Sequence, residues 1–158
     1  MAEDFESIDL PEEAATVALA HRLAPQVAEG GVLYLRGELG AGKTTFARAL
    51  LRALGVGERV KSPTYSLLER YTMHGRDAFH LDLYRIAEAG ELEWLGLDEL
   101  EESDAIVLVE WPERGAGALP AADLEILLEH RGTARRGRLE PLSPRGQGWI
   151  AAIGKRPR

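Results

Sequence analysis

The run Gly37-Glu38-Leu39-Gly40-Ala41-Gly42-Lys43-Thr44 constrains this chain more than any other stretch. It fits the pattern G-x-x-x-x-G-K-[ST] at every fixed position. The glycines let a backbone curl until successive N–H groups point at one place. A helix that starts at the end of the curl adds the positive end of its dipole. Such a loop suits phosphate, with the Lys43 ammonium reaching the terminal phosphates and the Thr44 hydroxyl on Mg2+. The flanks supply the context that gives the pattern meaning. Val32-Leu33-Tyr34-Leu35 before it reads as a buried strand. After it, Phe46, Ala47, Leu50, Leu51 and Leu54 make one apolar helix face, which Gly55 stops.

The rest of the chain alternates in the same manner. Phe5 to Asp9 reads as a short edge strand. A helix is expected to start near Pro11, with Asp9 and Glu12 at the spacing of a capping box. Ala15, Leu19, Leu23 and Val27 form its apolar stripe, Pro25 is expected to kink or shorten it, and Gly30-Gly31 end the segment. Ser62-Pro63 breaks the chain. Tyr65 to Tyr71 and Ala78 to Tyr84 read as strands joined by a turn at His74-Gly75-Arg76-Asp77. Leu92, Leu95, Leu97 and Leu100 place short helices in the acidic segment from Glu88 to Glu102. Ala105 to Val109 is wholly apolar, as a central parallel strand buried on both faces requires. Pro112 to Pro120 reads as loop, and Asp123 to His130 and Arg135 to Leu142 as a late pair of strands. The expectation is α/β, a P-loop NTPase three-layer fold with a mainly parallel central sheet and a late antiparallel strand pair. Residues 1–143 would form the single domain. Residues 144–158 would be a basic tail, either docked through Trp149-Ile150 or partly disordered.

Composition narrows the function classes. A chain of 158 residues suits one compact domain. The absence of cysteine removes disulfides, thiolate metal sites and cysteine nucleophiles. No apolar run approaches the ~20 residues that cross a bilayer. The acidic start Met1-Ala2-Glu3-Asp4 argues against a secretory signal, so a cytoplasmic protein without membrane contact is expected. Net charge is −7, but it is unevenly placed. Ile86 to Glu113 holds ten acidic residues and no Lys or Arg, whereas Arg131 to Arg158 holds eight basic residues and one acid. The acidic run suits a solvated helical face. The basic end suits either a frayed terminus or a patch facing RNA or a partner. The chain also lacks asparagine. That excludes the N-K-x-D element of guanine-specific GTPases and the kinase catalytic-loop Asn, so adenine is the better fit.

Two carboxylates stand where a phosphate site would need them. Glu110 follows the apolar strand directly, at the edge where open α/β sheets hold ligands and where P-loop enzymes hold Mg2+ or polarise water. Asp82 lies in His80-Leu81-Asp82-Leu83-Tyr84-Arg85. In a strand, His80, Asp82 and Tyr84 share one face and Leu81, Leu83 and Arg85 the other. That suits an acid facing a site, and equally a half-exposed strand. No partner histidine is spaced to join His80 on a metal, which makes it a hydrogen-bonding neighbour. Ser62-Pro63-Thr64 suits either a switch loop that senses the γ-phosphate or a plain structural turn.

These elements together resemble the TsaE (YjeE) family, the ATPase component of bacterial tRNA threonylcarbamoyladenosine biosynthesis. The resemblance rests on Gly37 to Phe46, Ser62-Pro63-Thr64-Tyr65, His80 to Arg85, Leu95-Gly96-Leu97 and Val109-Glu110-Trp111-Pro112-Glu113, and spans roughly Leu10 to Arg131. It implies ATP and Mg2+ as cofactors and a cytoplasmic setting. It implies work alongside TsaB-like and TsaD-like proteins, which carry the threonylcarbamoyl group to the adenosine beside the anticodon, with tRNA met indirectly through that complex. Residue by residue, it assigns Gly37 to Thr45 and Lys43 in particular to the phosphates. Thr44 and Asp82 fall to Mg2+ and its neighbourhood, Thr64 to a switch-like loop, and Glu110 to a Walker-B-like or catalytic role with Lys43 and Asp82. Trp111 falls near the nucleotide or the partner.

Two other readings stay open on the residues alone. A P-loop small-molecule kinase would have a similar size and loop, but usually adds an Arg-rich lid. A nucleotide-gated binding module would hydrolyse only incidentally. Hydrolysis with water as sole acceptor separates the first from an ATPase. Partner affinity that survives a block of hydrolysis marks the second.

Overall fold

A computed structural model of the chain describes residues 6–56, 68–86, 90–92, 100 and 104–154. Ser62, Pro63, Thr64, Leu95, Gly96 and Leu97 lie outside the described residues, as does most of the acidic segment from Glu88 to Glu102. The elements run β1 (Glu6–Leu10), α1 (Glu13–Val27), β2 (Gly31–Gly37), α2 (Lys43–Ala53), β3 (Leu68–Met73), β4 (Arg76–Asp82) and β5 (Ile106–Glu110). After a 3-10 turn (Pro112–Gly115) come β6 (Leu124–Arg131), β7 (Ala134–Pro141) and α3 (Pro144–Gly154).

Among the described residues all seven strands lie in one sheet, ordered β1-β7-β6-β2-β5-β4-β3. The four central strands, β6, β2, β5 and β4, run parallel. The outer pairings β3–β4, β6–β7 and β7–β1 are antiparallel. This is the α/β architecture expected from the sequence, with the late strand pair at β6 and β7. Every residue of β5 is buried. A parallel strand can be uniformly apolar because layers cover both faces. On one face α1, α2 and α3 pack Leu19, Leu23, Phe46, Leu50 and Trp149 against Leu33, Leu35 and Leu108. On the other, Phe79, Leu81, Val107 and Val109 meet Leu83, Ile86, Leu92 and Leu100. Each such side chain fully buried contributes about 1.5–3 kcal/mol.

Three local expectations need correction. The Asp9–Glu12 capping box does not form. Asp9 stays in β1, held opposite Arg136 by the ladder to β7, and Glu12 caps α1 with no side-chain hydrogen bond. Pro25 does not shorten α1, which runs on to Val27 and closes with the Ala28 N–H on Ala24 O at 3.0 Å. β4 ends at Asp82, not Tyr84, because the Asp82 carboxylate accepts the Tyr84 N–H at 3.1 Å and bends the chain. Among the described residues no helix is long and apolar enough to cross a membrane.

Candidate functional site

The parallel register decides which side chains meet. Asp82 and Leu35 both stand opposite Glu110, and His80 stands opposite Leu108. Ala78, Ile106 and Leu108 belong to the core on the α2 side. Period-two alternation then turns His80, Asp82 and Glu110 to that same side. Their two strands, β4 and β5, end there, where Thr44 in the first turn of α2 meets Glu110.

The glycine loop carries the chain from β2 into that turn. Gly37 has φ +145°, and a Cβ there would lie 2.4 Å from Leu128 O, so only glycine lets β2 pass β6 this closely. Gly42 caps α2 with φ 106° and offers no side chain to its amides. The first N–H groups of α2 are thus left for another acceptor.

Lys43 is 5% exposed. Its Nζ donates to Gly37 O at 2.6 Å and Glu38 O at 2.9 Å, and sits 4.3 Å from the centre of the Trp111 ring. Burial lowers its pKa, while the charges of Glu110, Glu113 and Asp82 act in the other direction. Thr44 Oγ1 donates to Glu110 Oε1 at 2.8 Å. The other carboxylate oxygen, Oε2, meets His80 Nε2 at 2.6 Å. Asp82 has a raised pKa, first through burial and then through the nearby charge of Glu110. Trp111 adopts φ 59°, a left-handed conformation unusual outside glycine. That turn directly after Glu110 lays the indole beside Lys43 and 5.0 Å from the Tyr84 ring.

The result is a pocket of about 240 Å³. Leu39, Gly40, Gly42, Lys43, Thr44, Thr45, Asp82, Glu110 and Trp111 line it together with Tyr84. The structure therefore gathers most of the expected site residues in one place. Gly37 and Glu38 contribute carbonyl oxygens to Lys43, and Ala41 is buried beneath the loop. Thr64 lies outside the described residues. Arg85 is exposed and does not line the pocket.

Contacts made by three residues were not anticipated. Arg114 stacks over Tyr84 at 5.4 Å and over Trp111 at 5.6 Å, at the rim of the pocket. His130 Nε2 stands 3.3 Å from Leu39 O, and Arg135 donates to Gly40 O at 3.1 Å. The available signal was topological, since β6 runs parallel to β2 and delivers its end to the same edge.

The donor set suits Mg2+. Thr44, Asp82 and Glu110 offer only oxygens, the hard donors that ion prefers. Among the described residues no three His, Cys, Asp or Glu side chains cluster as a cage. One or two carboxylates completed by phosphate oxygens is the usual way Mg2+ is held. Burial first, and then the nearby charge of Glu110, raises the pKa of Asp82.

Residues 10–138 match the family model described as "Threonylcarbamoyl adenosine biosynthesis protein TsaE". The tRNA threonylcarbamoyladenosine biosynthesis protein TsaE of Haemophilus influenzae is 42% identical over 122 residues, covering 77% of each chain. The protein of that name from Aquifex aeolicus is 36% identical over 133 residues, covering 83% of this chain and 95% of the relative. The crystal structure of Bacillus subtilis YdiB superposes with a TM-score of 0.78 at 26% identity, covering 98% of this chain and 97% of that one. This chain belongs to the TsaE family, and through it to the biosynthesis of tRNA threonylcarbamoyladenosine.

Proposed function

We propose that the chain is a Mg2+-dependent ATPase that drives tRNA threonylcarbamoyladenosine modification by cycling on a complex of TsaB-like and TsaD-like proteins in the cytoplasm. The observation that carries this reading is the contact of Thr44 with Glu110 at 2.8 Å beside the buried Lys43. It sets a hydroxyl, a carboxylate and a cation around one pocket at the start of a helix. In this reading the loop amides and Lys43 bind the β- and γ-phosphates. Thr44 and Asp82 hold Mg2+, whose chemistry is to offset phosphate charge and polarise the transferred group. Glu110 orients the attacking water or takes its proton, the task of a carboxylate near in-line attack.

Phosphoryl transfer also needs positive charge on its transition state, and an arginine finger supplies ~10³–10⁵ in rate. Lys43 is the one cationic side chain that lines the pocket among the described residues. Slow turnover by the chain alone and clear stimulation by the partner complex follow. The ATP form would bind that complex, and hydrolysis would release it. Steady-state phosphate release, measured with and without TsaB- and TsaD-like partners, tests this. Full turnover by the lone chain, unchanged by partners, would mean the site is complete in cis.

A further inference from the structure

His80 is fully buried in the core, at 0% exposure, and among the described residues its one polar contact is with Glu110 at 2.6 Å. Its other ring nitrogen, Nδ1, has no partner among the described residues. A buried polar group that leaves one atom unsatisfied is costly to stability. An apolar side chain opposite Leu108 would pack at least as well. The imidazole is therefore poorly explained as core filling, and well explained by what its Nε2 does.

We propose that His80 is the positioning residue for Glu110, fixing which carboxylate oxygen faces the pocket. Nε2–H donates to Oε2 and holds it against the sheet. The carboxylate is then rotated so that Oε1 points up to Thr44 and the pocket. A carboxylate gripped at one oxygen cannot swing about its last torsion. The atom that orients water is then set before any nucleotide arrives. His80 itself is fully buried and does not line the pocket. This inference rests on the ATPase reading above.

The test compares His80→Met with His80→Gln. The two side chains have the same reach, but only Gln carries an N–H. His80→Met is expected to lower kcat by about 10- to 100-fold, as small misplacements of catalytic groups do. KM for ATP should stay within about threefold in both variants, because no phosphate contact changes. His80→Gln is expected to recover most of the lost kcat. Should the Met chain fail to fold, His80→Leu takes its place. Equal kcat for Met, Gln and wild type would overturn the positioning role, as would losses of the same size in both. A wild-type chain with no turnover, with or without partners, would instead remove the ATPase reading, and this inference with it.

Discussion

The Thr44 hydroxyl donates to Glu110 Oε1 at 2.8 Å, tying the first turn of α2 to the last residue of β5. Two elements distant in sequence thus share one polar contact at the mouth of the pocket. An amide in place of the carboxylate can keep both neighbours, since its oxygen accepts from His80 while its NH2 donates to Thr44. Glu110→Gln should therefore fold and bind ATP as the wild type does. Turnover should fall by ~10²-fold or more if Glu110 handles water. Single-turnover hydrolysis measures it, and an unchanged rate would place the base elsewhere.

Lys43→Ala removes an ammonium held by two loop carbonyls. Those carbonyls can turn to solvent, so the fold should survive. Phosphate loses a charged donor, and ATP affinity should drop about 10- to 100-fold. Calorimetric titration reads this directly, and equal affinity for both chains would refute the assignment.

Asp82 gives a signed pH effect. Its pKa in the folded chain lies above the ordinary 3.8, chiefly through burial. Between those two values the folded state keeps a proton that the unfolded chain has released, so its contribution to stability falls as pH rises. At neutral pH the charge is a cost. Asp82→Asn should then melt higher than wild type at pH 7 without Mg2+ or nucleotide, and the gap should close below the ordinary aspartate range. The same variant should lose Mg2+-dependent ATP affinity. A variant that melts lower at neutral pH would contradict the burial argument.

The division at residue 143 can be tested through Trp149. Residues 144–154 form α3, and Trp149 is 5% exposed within the core shared by α1 and α2. Trp149→Ala should cost about 3–5 kcal/mol, read by urea denaturation. A loss below ~1 kcal/mol would mean that the domain holds without this helix.

The loop and its neighbours were legible because short-range chemistry dictates them. Eight residues from Gly37 to Thr44, a strand before and a helix after leave little freedom. Glu110 was legible from its place after an apolar run. The long-range misses share one cause. Asp9 lost its capping role because pairing with β7 held it extended, a contact with residues far along the chain. Arg135 and His130 reach the loop through a strand pair whose place beside β2 no local pattern encodes. The grip of His80 on Glu110 joins different strands, and only register brings them opposite. These contacts are what the sheet order decides, whereas the end of β4 is set locally, by the Tyr84 N–H on the Asp82 carboxylate.

That order also sets a timetable for folding. β1 forms its ladder with β7, the last strand in chain order among the described residues, with Leu10 opposite Arg135 and Glu6 opposite Leu139. On a ribosome adding 5–20 residues each second, β1 waits on the order of ten seconds before that partner exists. The central parallel strands and α2 can assemble meanwhile, so the loop that begins at Gly37 is shaped before the sheet is closed. In a refolding chain β7 is present from the start, but the long loop to be closed still delays the pairing. Pulse-labelled hydrogen exchange should therefore find the β1 amides among the last to gain protection.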